Sequence, residues 1–213
     1  MAQIDEIHPP LCQRCGLPLS ATEAAGSVPA RCGRCRQLPV EWVGLLAYAF
    51  HDGPVRKAIH QFKYEDQRCL APLLGGLMAD GWGRLAPGDW QPDAMVPVPL
   101  HPSRQRQRGY NQSALLSHEL GTHLGCPVIE GALVRVKATA PQVGLGPRER
   151  RANVHDAFRC RDGRLRGKKI LLVDDVCTTG STLESACLAM KESGATSVLA
   201  YTLARARPSG LDA

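Results

Sequence analysis

Four cysteines near the start of the chain have the spacing of a metal site. Cys12, Cys15, Cys32 and Cys35 form two C-x2-C pairs that are separated by sixteen residues. This separation is typical of a zinc ribbon, in which four thiolates hold one tetrahedral Zn²⁺. Because four sulfur ligands leave no open coordination position, the sequence predicts a structural zinc and not a catalytic one. The alternative is a set of four unrelated buried cysteines.

A second chemical group follows an apolar run that begins at Lys169. Asp174 and Asp175 precede a hydroxyl-rich loop over Thr178–Thr182, which opens a helical pattern. The free N–H groups and the dipole of a helix N-terminus bind a phosphate monoester, and two adjacent carboxylates suit the hydroxyls of a ribose. The loop matches neither the Walker A pattern nor G-x-G-x-x-G. Ser181 and Glu184 have the spacing of a capping box, which places the helix start at Ser181. The alternative for the two carboxylates is an acidic turn with helix capping.

Short apolar strands and amphipathic helices alternate along the chain and would position these groups. The patterns predict strands over 44–50, 94–98, 132–136, 170–173 and 197–203, and helices over 54–63, 70–78, 111–124 and 182–193. Such alternation favours a parallel sheet covered by helices. Residues 84–92 predict a connecting loop, and residues 137–151, interrupted by Gly and Pro, predict a long loop.

The composition is that of an ordinary globular protein. The 213 residues are 44% hydrophobic and 22% charged, which excludes a disordered chain. The longest apolar stretch, residues 43–50, is far shorter than the ~18 residues of a membrane span. No secretory signal is visible at the start, so we expect a cytoplasmic protein whose nine cysteines are not a disulfide framework.

The net charge of +6 favours an anionic partner. Basic residues cluster at Arg104, Arg106 and Arg108, at 148–151 and over 159–169. The alternative for each cluster is a solvated surface. Aromatic residues make up only 5% of the chain, so stacking platforms for single-stranded nucleic acid are few.

Several of these motifs together resemble a known family. Residues 173–182 resemble the phosphoribosyl-pyrophosphate (PRPP) signature of type I phosphoribosyltransferases. The four cysteines and the segments 62–64, 97–104, 108–112, 142–145 and 148–154 are similar to the ComF family, in which a zinc ribbon precedes a phosphoribosyltransferase-like domain. The resemblance spans residues 12–203, and some family members are implicated in DNA uptake by naturally competent bacteria.

The resemblance implies a fold class and a domain organisation. It implies an α/β protein with the type I phosphoribosyltransferase fold, which is a parallel sheet with flanking helices and a hood, preceded by a small N-terminal zinc ribbon. We therefore expect a four-cysteine zinc ribbon over residues 1–40 and a phosphoribosyltransferase-like domain over 41–213. Within this domain, residues 41–92 would form the hood and the start of the fold, and residues 93–205 the PRPP-binding core.

The resemblance also implies roles for individual residues. Asp174 and Asp175 would bind the ribose hydroxyls, with Mg²⁺ accompanying PRPP. The 5′-phosphate would be held by Thr178, Thr179, Gly180, Ser181 and Thr182. The candidates for the pyrophosphate loop and for the flexible loop over 142–151 are Leu100, His101, Arg104, Arg108, Arg148 and Arg151. Lys63 and Tyr64 would lie in the hood over the acceptor. The resemblance identifies no catalytic residue.

Two classes of function remain open at this point. The first is a phosphoribosyltransferase that uses PRPP and an unidentified acceptor. The second is a non-catalytic module that keeps the fold and binds a nucleotide, a DNA-processing or other protein, or single-stranded DNA. Enzymes that salvage hypoxanthine or guanine carry an acid three residues beyond the carboxylate pair, where this chain has Thr178, so 6-oxopurine salvage is disfavoured. The oligomeric state is not defined by the sequence.

Overall fold

The computed structural model describes residues 3–26, 30–37, 44–137 and 156–208. The helices in chain order are α1 (Ala21–Ala25), α2 (Gly33–Arg36), α3 (Gly53–Tyr64), α4 (Ala71–Leu85), α5 (Pro102–Arg108), α6 (Gln112–Leu124) and α7 (Ser181–Glu192). The strands are β1 (Gly44–Phe50), β2 (Ala94–Pro97), β3 (Leu133–Arg135), β4 (Phe158–Cys160), β5 (Lys169–Cys177) and β6 (Ser197–Arg205). Among the described residues, no helix combines the length and the apolar character needed to cross a bilayer.

A parallel sheet of four strands, in the order β1-β6-β5-β2, forms the centre of the molecule. Alternate side chains of each strand enter two different cores, as expected when both faces of a parallel sheet are covered. Tyr48 and Tyr201 pack with α3, α4 and α6 on one face. Leu172 and Ala200 pack with α7 and with the β3–β4 pair on the other.

The predicted alternation of strands and helices is confirmed, with corrections in three places. The strand predicted over 132–136 is β3, which pairs antiparallel with β4 in a separate two-stranded sheet. The helix predicted over 70–78 continues to Leu85, and the strand predicted over 170–173 continues through the two acids to Cys177.

Helix α5 has no counterpart in the sequence prediction. Its sequence, PSRQRQR, has no apolar stripe to reveal it. Its ends are specified instead by local signals, because the His101 side chain caps its first turn, Pro102 stands at its start and Gly109 adopts the left-handed conformation at its end.

The N-terminal segment packs against β1 through backbone hydrogen bonds and through a small apolar cluster of Ile7 and Leu17 with Ala47 and Phe50. The Ile7 N–H donates to the Tyr48 carbonyl oxygen at 2.9 Å, and the Phe50 N–H donates to Asp5 at the same distance. Gly16 has a φ of +67°, and a Cβ built there would lie 2.3 Å from the carbonyl oxygen of Leu45. The turn after the first cysteine pair therefore contacts the start of β1 with no room for a side chain.

This close approach predicts that Gly16→Ala destabilises the protein. The new Cβ must displace backbone and also penalises the positive φ, so we expect a loss of about 2–4 kcal/mol in the free energy of unfolding, measured by urea denaturation. Gly33→Ala is a matched control, because Gly33 also follows a cysteine of the group but has open space around it and a helical conformation. Equal stability of the two variants would contradict the prediction.

Candidate functional site

A cleft of about 340 Å³ lies above the carboxyl ends of β5 and β1. Helix α3 forms one wall, residues 98–104 form another, and the start of α7 forms the floor together with the acids of β5. The lining residues are His51, Arg56, Ile59, His60, Lys63, Tyr64, Val98, Pro99, Leu100, Arg104, Gln112, Arg135, Asp174, Asp175, Val176, Thr178 and Thr182. Ligand sites in open parallel sheets occur at this edge.

The two adjacent carboxylates are held by side chains from two different helices. Asp174 Oδ1 accepts a hydrogen bond of 2.8 Å from the Ser113 hydroxyl in α6. Asp175 Oδ1 forms an ion pair of 2.7 Å with Lys63 Nζ at the end of α3. The Tyr110 hydroxyl donates to the carbonyl oxygen of Phe62 and so fixes the backbone directly before Lys63.

The carboxylate pair keeps a free acceptor atom. Asp175 is only 3% exposed, and its Oδ2 has no hydrogen-bond partner in the described parts of the chain. Desolvation, followed by the negative charge of Asp175, raises the pKa of Asp174 to about 7, whereas the charge of Lys63 opposes this shift. A buried carboxylate oxygen without a donor suits a hydroxyl group or a hard cation such as Mg²⁺.

The loop after the acids leaves the start of α7 open. Gly180 is the N-cap residue with a φ of +84°, and no side chain caps the helix at this position. The Thr179 hydroxyl instead lies 2.9 Å from the Ser181 hydroxyl. The helix starts at Ser181 as predicted, but the capping box predicted for Ser181 and Glu184 is wrong, because the N-cap is one residue earlier, at Gly180. The Ser181 N–H donates to the Thr179 hydroxyl at 3.4 Å, and Glu184 pairs with Arg14. Thr178 and Thr182, on either side of this helix start, line the cleft.

The candidates for the pyrophosphate lie in different environments. Leu100 and Arg104 line the cleft. The His101 ring instead accepts from the Ser103 N–H as the cap of α5. Arg108 lies beside the cleft, where it donates to Gln112 at 2.7 Å and stands over the Tyr64 ring at 5.2 Å. Arg148 and Arg151, with the whole flexible-loop segment 142–151, lie outside the described residues.

Sequence reasoning missed basic residues of this cleft. Arg135, at the end of β3, lines it together with Arg56. Burial and the nearby charge of Arg104 lower the pKa of Arg135, but a guanidinium remains charged at neutral pH. Its position directly before the long loop 137–151 was the signal that could have identified it.

His51, at the carboxyl end of β1, is a further lining residue that the sequence analysis did not select. Burial, followed by the charges of Lys63 and Arg56, lowers the pKa of its imidazole. The ring is therefore neutral at pH 7 and one of its nitrogens can accept a hydrogen bond.

The α3 wall of the cleft carries an exposed aromatic ring. Tyr64 is 68% exposed, although it belongs to the lining, and its ring centroid lies 5.1 Å from that of His60. A planar group could stack on this ring at the mouth of the cleft.

The four cysteines of the ribbon converge as the sequence predicts. The sulfur atoms of Cys12, Cys15, Cys32 and Cys35 all lie within 4.8 Å of one another, and the sulfurs of Cys15 and Cys32 are 3.9 Å apart. A Zn–S bond length of about 2.3 Å implies about 3.8 Å between the sulfurs of a tetrahedral site, so the group fits zinc. Hydrogen bonds from the Cys15 and Cys35 thiols hold the pKa of Cys12 well below its usual value.

The strand order and the cleft define a class of protein. The parallel sheet, the helix-held acid pair and the open loop before α7 define a type I phosphoribosyltransferase fold, and a group of four cysteines precedes it. In agreement, a family model described as "Phosphoribosyl transferase domain" matches residues 124–213. Adenine phosphoribosyl transferase from Trypanosoma brucei is similar over 74% of this chain and 70% of that one, with 14% identity and a TM-score of 0.44.

Relatives over nearly the whole chain define the family. "DNA utilization protein YhgH" of Salmonella typhi is 36% identical over 197 residues, which cover 92% of this chain and 84% of that protein. "Competence protein F" of Haemophilus influenzae is 33% identical over 203 residues, with coverages of 92% and 85%. "Competence protein ComFC" of Bacillus subtilis is 24% identical over 205 residues, with coverages of 96% and 81%. The chain belongs to the ComF family.

Proposed function

We propose that this protein binds PRPP in the cleft above β5 and transfers its phosphoribosyl group to an acceptor. The observation that carries the proposal is the juxtaposition of Asp174 and Asp175 with an uncapped helix N-terminus inside a basic cleft. The uncapped N–H groups would hold the 5′-phosphate. The acids would hold the ribose hydroxyls, where Asp175 Oδ2 is available as an acceptor.

The basic residues of the cleft suit the leaving group of this reaction. Bond breaking at ribose C1 would develop positive charge on the sugar and negative charge on the pyrophosphate. Arg104 and Arg135 would stabilise the pyrophosphate side, because preorganised cations act strongly in a water-excluded site. Mg²⁺, held through the carboxylates of Asp174 and Asp175, would supply further neutralisation of the pyrophosphate when it is bound.

The acceptor would enter from the hood side. Tyr64 and His60 form an exposed aromatic pair at that wall, which suits a planar acceptor. The relatives are named for competence and DNA utilization, so we place the reaction in a process connected with DNA uptake or use.

The central test is the affinity for PRPP of an Asp175→Asn variant. Loss of one charge-assisted bond, worth ~1.5–3 kcal/mol, should weaken PRPP binding ~10- to 100-fold in calorimetric titration with Mg²⁺. The melting temperature should change little, because the asparagine can still accept from Lys63 and no longer repels Asp174. Asp162→Asn is a matched control, because this exposed acid pairs with Arg164 far from the cleft.

A second substitution tests the phosphate loop within the same titration. Gly180→Val should weaken binding further, since a β-branched residue resists the φ of +84° and crowds the N–H groups. Unchanged binding by Asp175→Asn, or no binding of PRPP by the wild type, would overturn the proposal.

The second candidate function is binding of single-stranded DNA without catalysis. Arg104, Arg106 and Arg108 lie on one short helix, and Arg108 stands over the exposed Tyr64 ring. Arginines beside an exposed aromatic ring can hold a nucleic acid backbone while a base stacks.

This candidate predicts a steep salt dependence of oligonucleotide affinity. Each phosphate contact contributes about 0.7 to the slope of log affinity against log salt for a single strand, so reversing the charges of Arg104, Arg106 and Arg108 together should lower the slope by about 2. The matched control reverses three exposed arginines of another basic cluster, Arg159, Arg161 and Arg166. An equal effect of both triple variants would indicate nonspecific attraction, and undetectable binding would exclude this candidate.

We also propose that the group of four cysteines holds one structural zinc ion. Sites of this kind contribute ~10–16 kcal/mol of apparent binding free energy, so Cys32→Ser should unfold the ribbon and release the metal. The core around the parallel sheet should remain folded. Elemental analysis should find one zinc per chain in the wild type and in Cys69→Ser, an exposed cysteine outside the group, but not in Cys32→Ser. Absence of zinc in wild-type protein purified without chelators would contradict this expectation.

A further inference from the structure

A buried arginine of the ribbon forms an ion pair with the helix that follows the phosphate loop. Arg14 lies between Cys12 and Cys15, and its Nη2 is 3.1 Å from Glu184 Oε1, 170 residues further along the chain. The Arg14 side chain is 9% exposed, and its Nη1 has no hydrogen-bond partner in the described parts of the chain. Among the described residues, Glu184 is the carboxylate that pairs with this buried cation. A buried charge is costly without such a partner.

The backbone around Arg14 is held tightly on both sides. The Gly16 N–H donates to the Cys12 carbonyl oxygen, and the Cys12 N–H donates to that of Leu17, both at 2.8 Å. The backbone of Gly16 in turn contacts Leu45 at the start of β1. The guanidinium of Arg14 therefore extends from a fixed turn. Its position determines where the Glu184 carboxylate of α7 is held.

Glu184 belongs to the first turn of α7, where its N–H donates to the Gly180 carbonyl oxygen at 2.8 Å. Glu184 is the fourth residue of α7, and helical side chains lean toward the helix N-terminus, where the helix dipole attracts a negative charge. A free Glu184 carboxylate can therefore approach the N–H groups at the helix start. Such a carboxylate would occupy a donor that the phosphate needs, and its charge would repel a phosphate dianion. In the structure the carboxylate is instead bound to Arg14.

We infer that Arg14 is a positioning residue for the phosphate site: by binding Glu184, it keeps the N-terminus of α7 open and neutralises the carboxylate in the first turn of that helix. The inference rests on the proposed function, since it concerns affinity for a 5′-phosphate in the loop over Thr178–Thr182. It gives the ribbon a role in ligand binding at the cleft. A ribbon that acted only as a structural appendage would not need a cation at this place.

The test is titration of the full zinc-loaded chain with ribose 5-phosphate, which probes the phosphate loop without the pyrophosphate half of PRPP. Arg14→Gln should bind about three- to tenfold more weakly than the wild type, because the released Glu184 competes with the phosphate. Glu184→Gln should bind within about twofold of the wild type, because an uncharged side chain neither repels the ligand nor needs Arg14. The double variant should recover the affinity of Glu184→Gln.

A variant confined to α7 gives the same information if Arg14→Gln does not fold. Glu184→Asp keeps the negative charge but shortens the side chain, so the carboxylate can no longer reach Arg14. It should bind ribose 5-phosphate about three- to tenfold more weakly, in contrast to Glu184→Gln. Arg84→Gln is the matched control, because it removes another ion pair of the N-terminal segment, 2.5 Å to Glu6, away from α7.

The outcomes separate this inference from the proposed function. Recovery of affinity in the double variant supports a competing carboxylate, because a purely structural role of Arg14 would leave the double variant as weak as Arg14→Gln. The inference is overturned if the double variant stays weak, if Glu184→Asp binds as well as Glu184→Gln, or if Arg84→Gln weakens binding equally. Failure of the wild type to bind ribose 5-phosphate would overturn the proposed function and this inference with it.

Discussion

Two carboxylates on adjacent residues repel each other, and the arrangement of this cleft follows from how that repulsion is relieved. Asp174 accepts a hydrogen bond from the Ser113 hydroxyl of α6, and Asp175 forms an ion pair with the Lys63 ammonium of α3. Both helices are thereby tied to the end of β5 by polar contacts, in addition to their apolar packing on the sheet. Because partly desolvated charges are costly without partners, the wall formed by α3 has a defined position even before any ligand binds.

The same contacts leave room for a ligand. Lys63 occupies only Oδ1 of Asp175, so a hydroxyl can donate to Oδ2 while the ion pair stays intact. Binding would then relieve the cost of an unsatisfied buried oxygen instead of adding to it. Arg104 and Arg135 lie in the same cleft, so the positive charge that a pyrophosphate requires is present beside the acids. Under the proposed function, the site is thus preorganised for both ends of PRPP.

Much of the fold, and the core of the site, could be predicted from local sequence patterns. The bounds of β1, the convergence of the four cysteines and the loop before α7 all follow from periodicity or spacing. The partners of the acids could not be predicted, because Lys63 and Ser113 come from distant segments whose approach depends on tertiary packing. The capping box at Ser181 failed for a local reason, because Gly180, with its left-handed backbone, is the N-cap and shifts the frame by one residue. The pairing of Glu184 with Arg14, 170 residues away in sequence, depends on tertiary packing and could not be predicted.

The step from binding to catalysis depends on where the binding energy is used. Contacts that hold PRPP equally well before and during bond breaking would lower its dissociation constant without accelerating transfer. Under the proposed function, anchoring of the 5′-phosphate at α7 would be a contact of this uniform kind, whereas Arg104 and Arg135 would interact more strongly as charge develops on the pyrophosphate. The two classes of function therefore differ at the leaving-group wall and at the acceptor wall around Tyr64, and not at the acid pair. A ComF protein that only binds nucleotides could keep every contact of β5 and α7, while a transferase also needs those two walls to be closed against water.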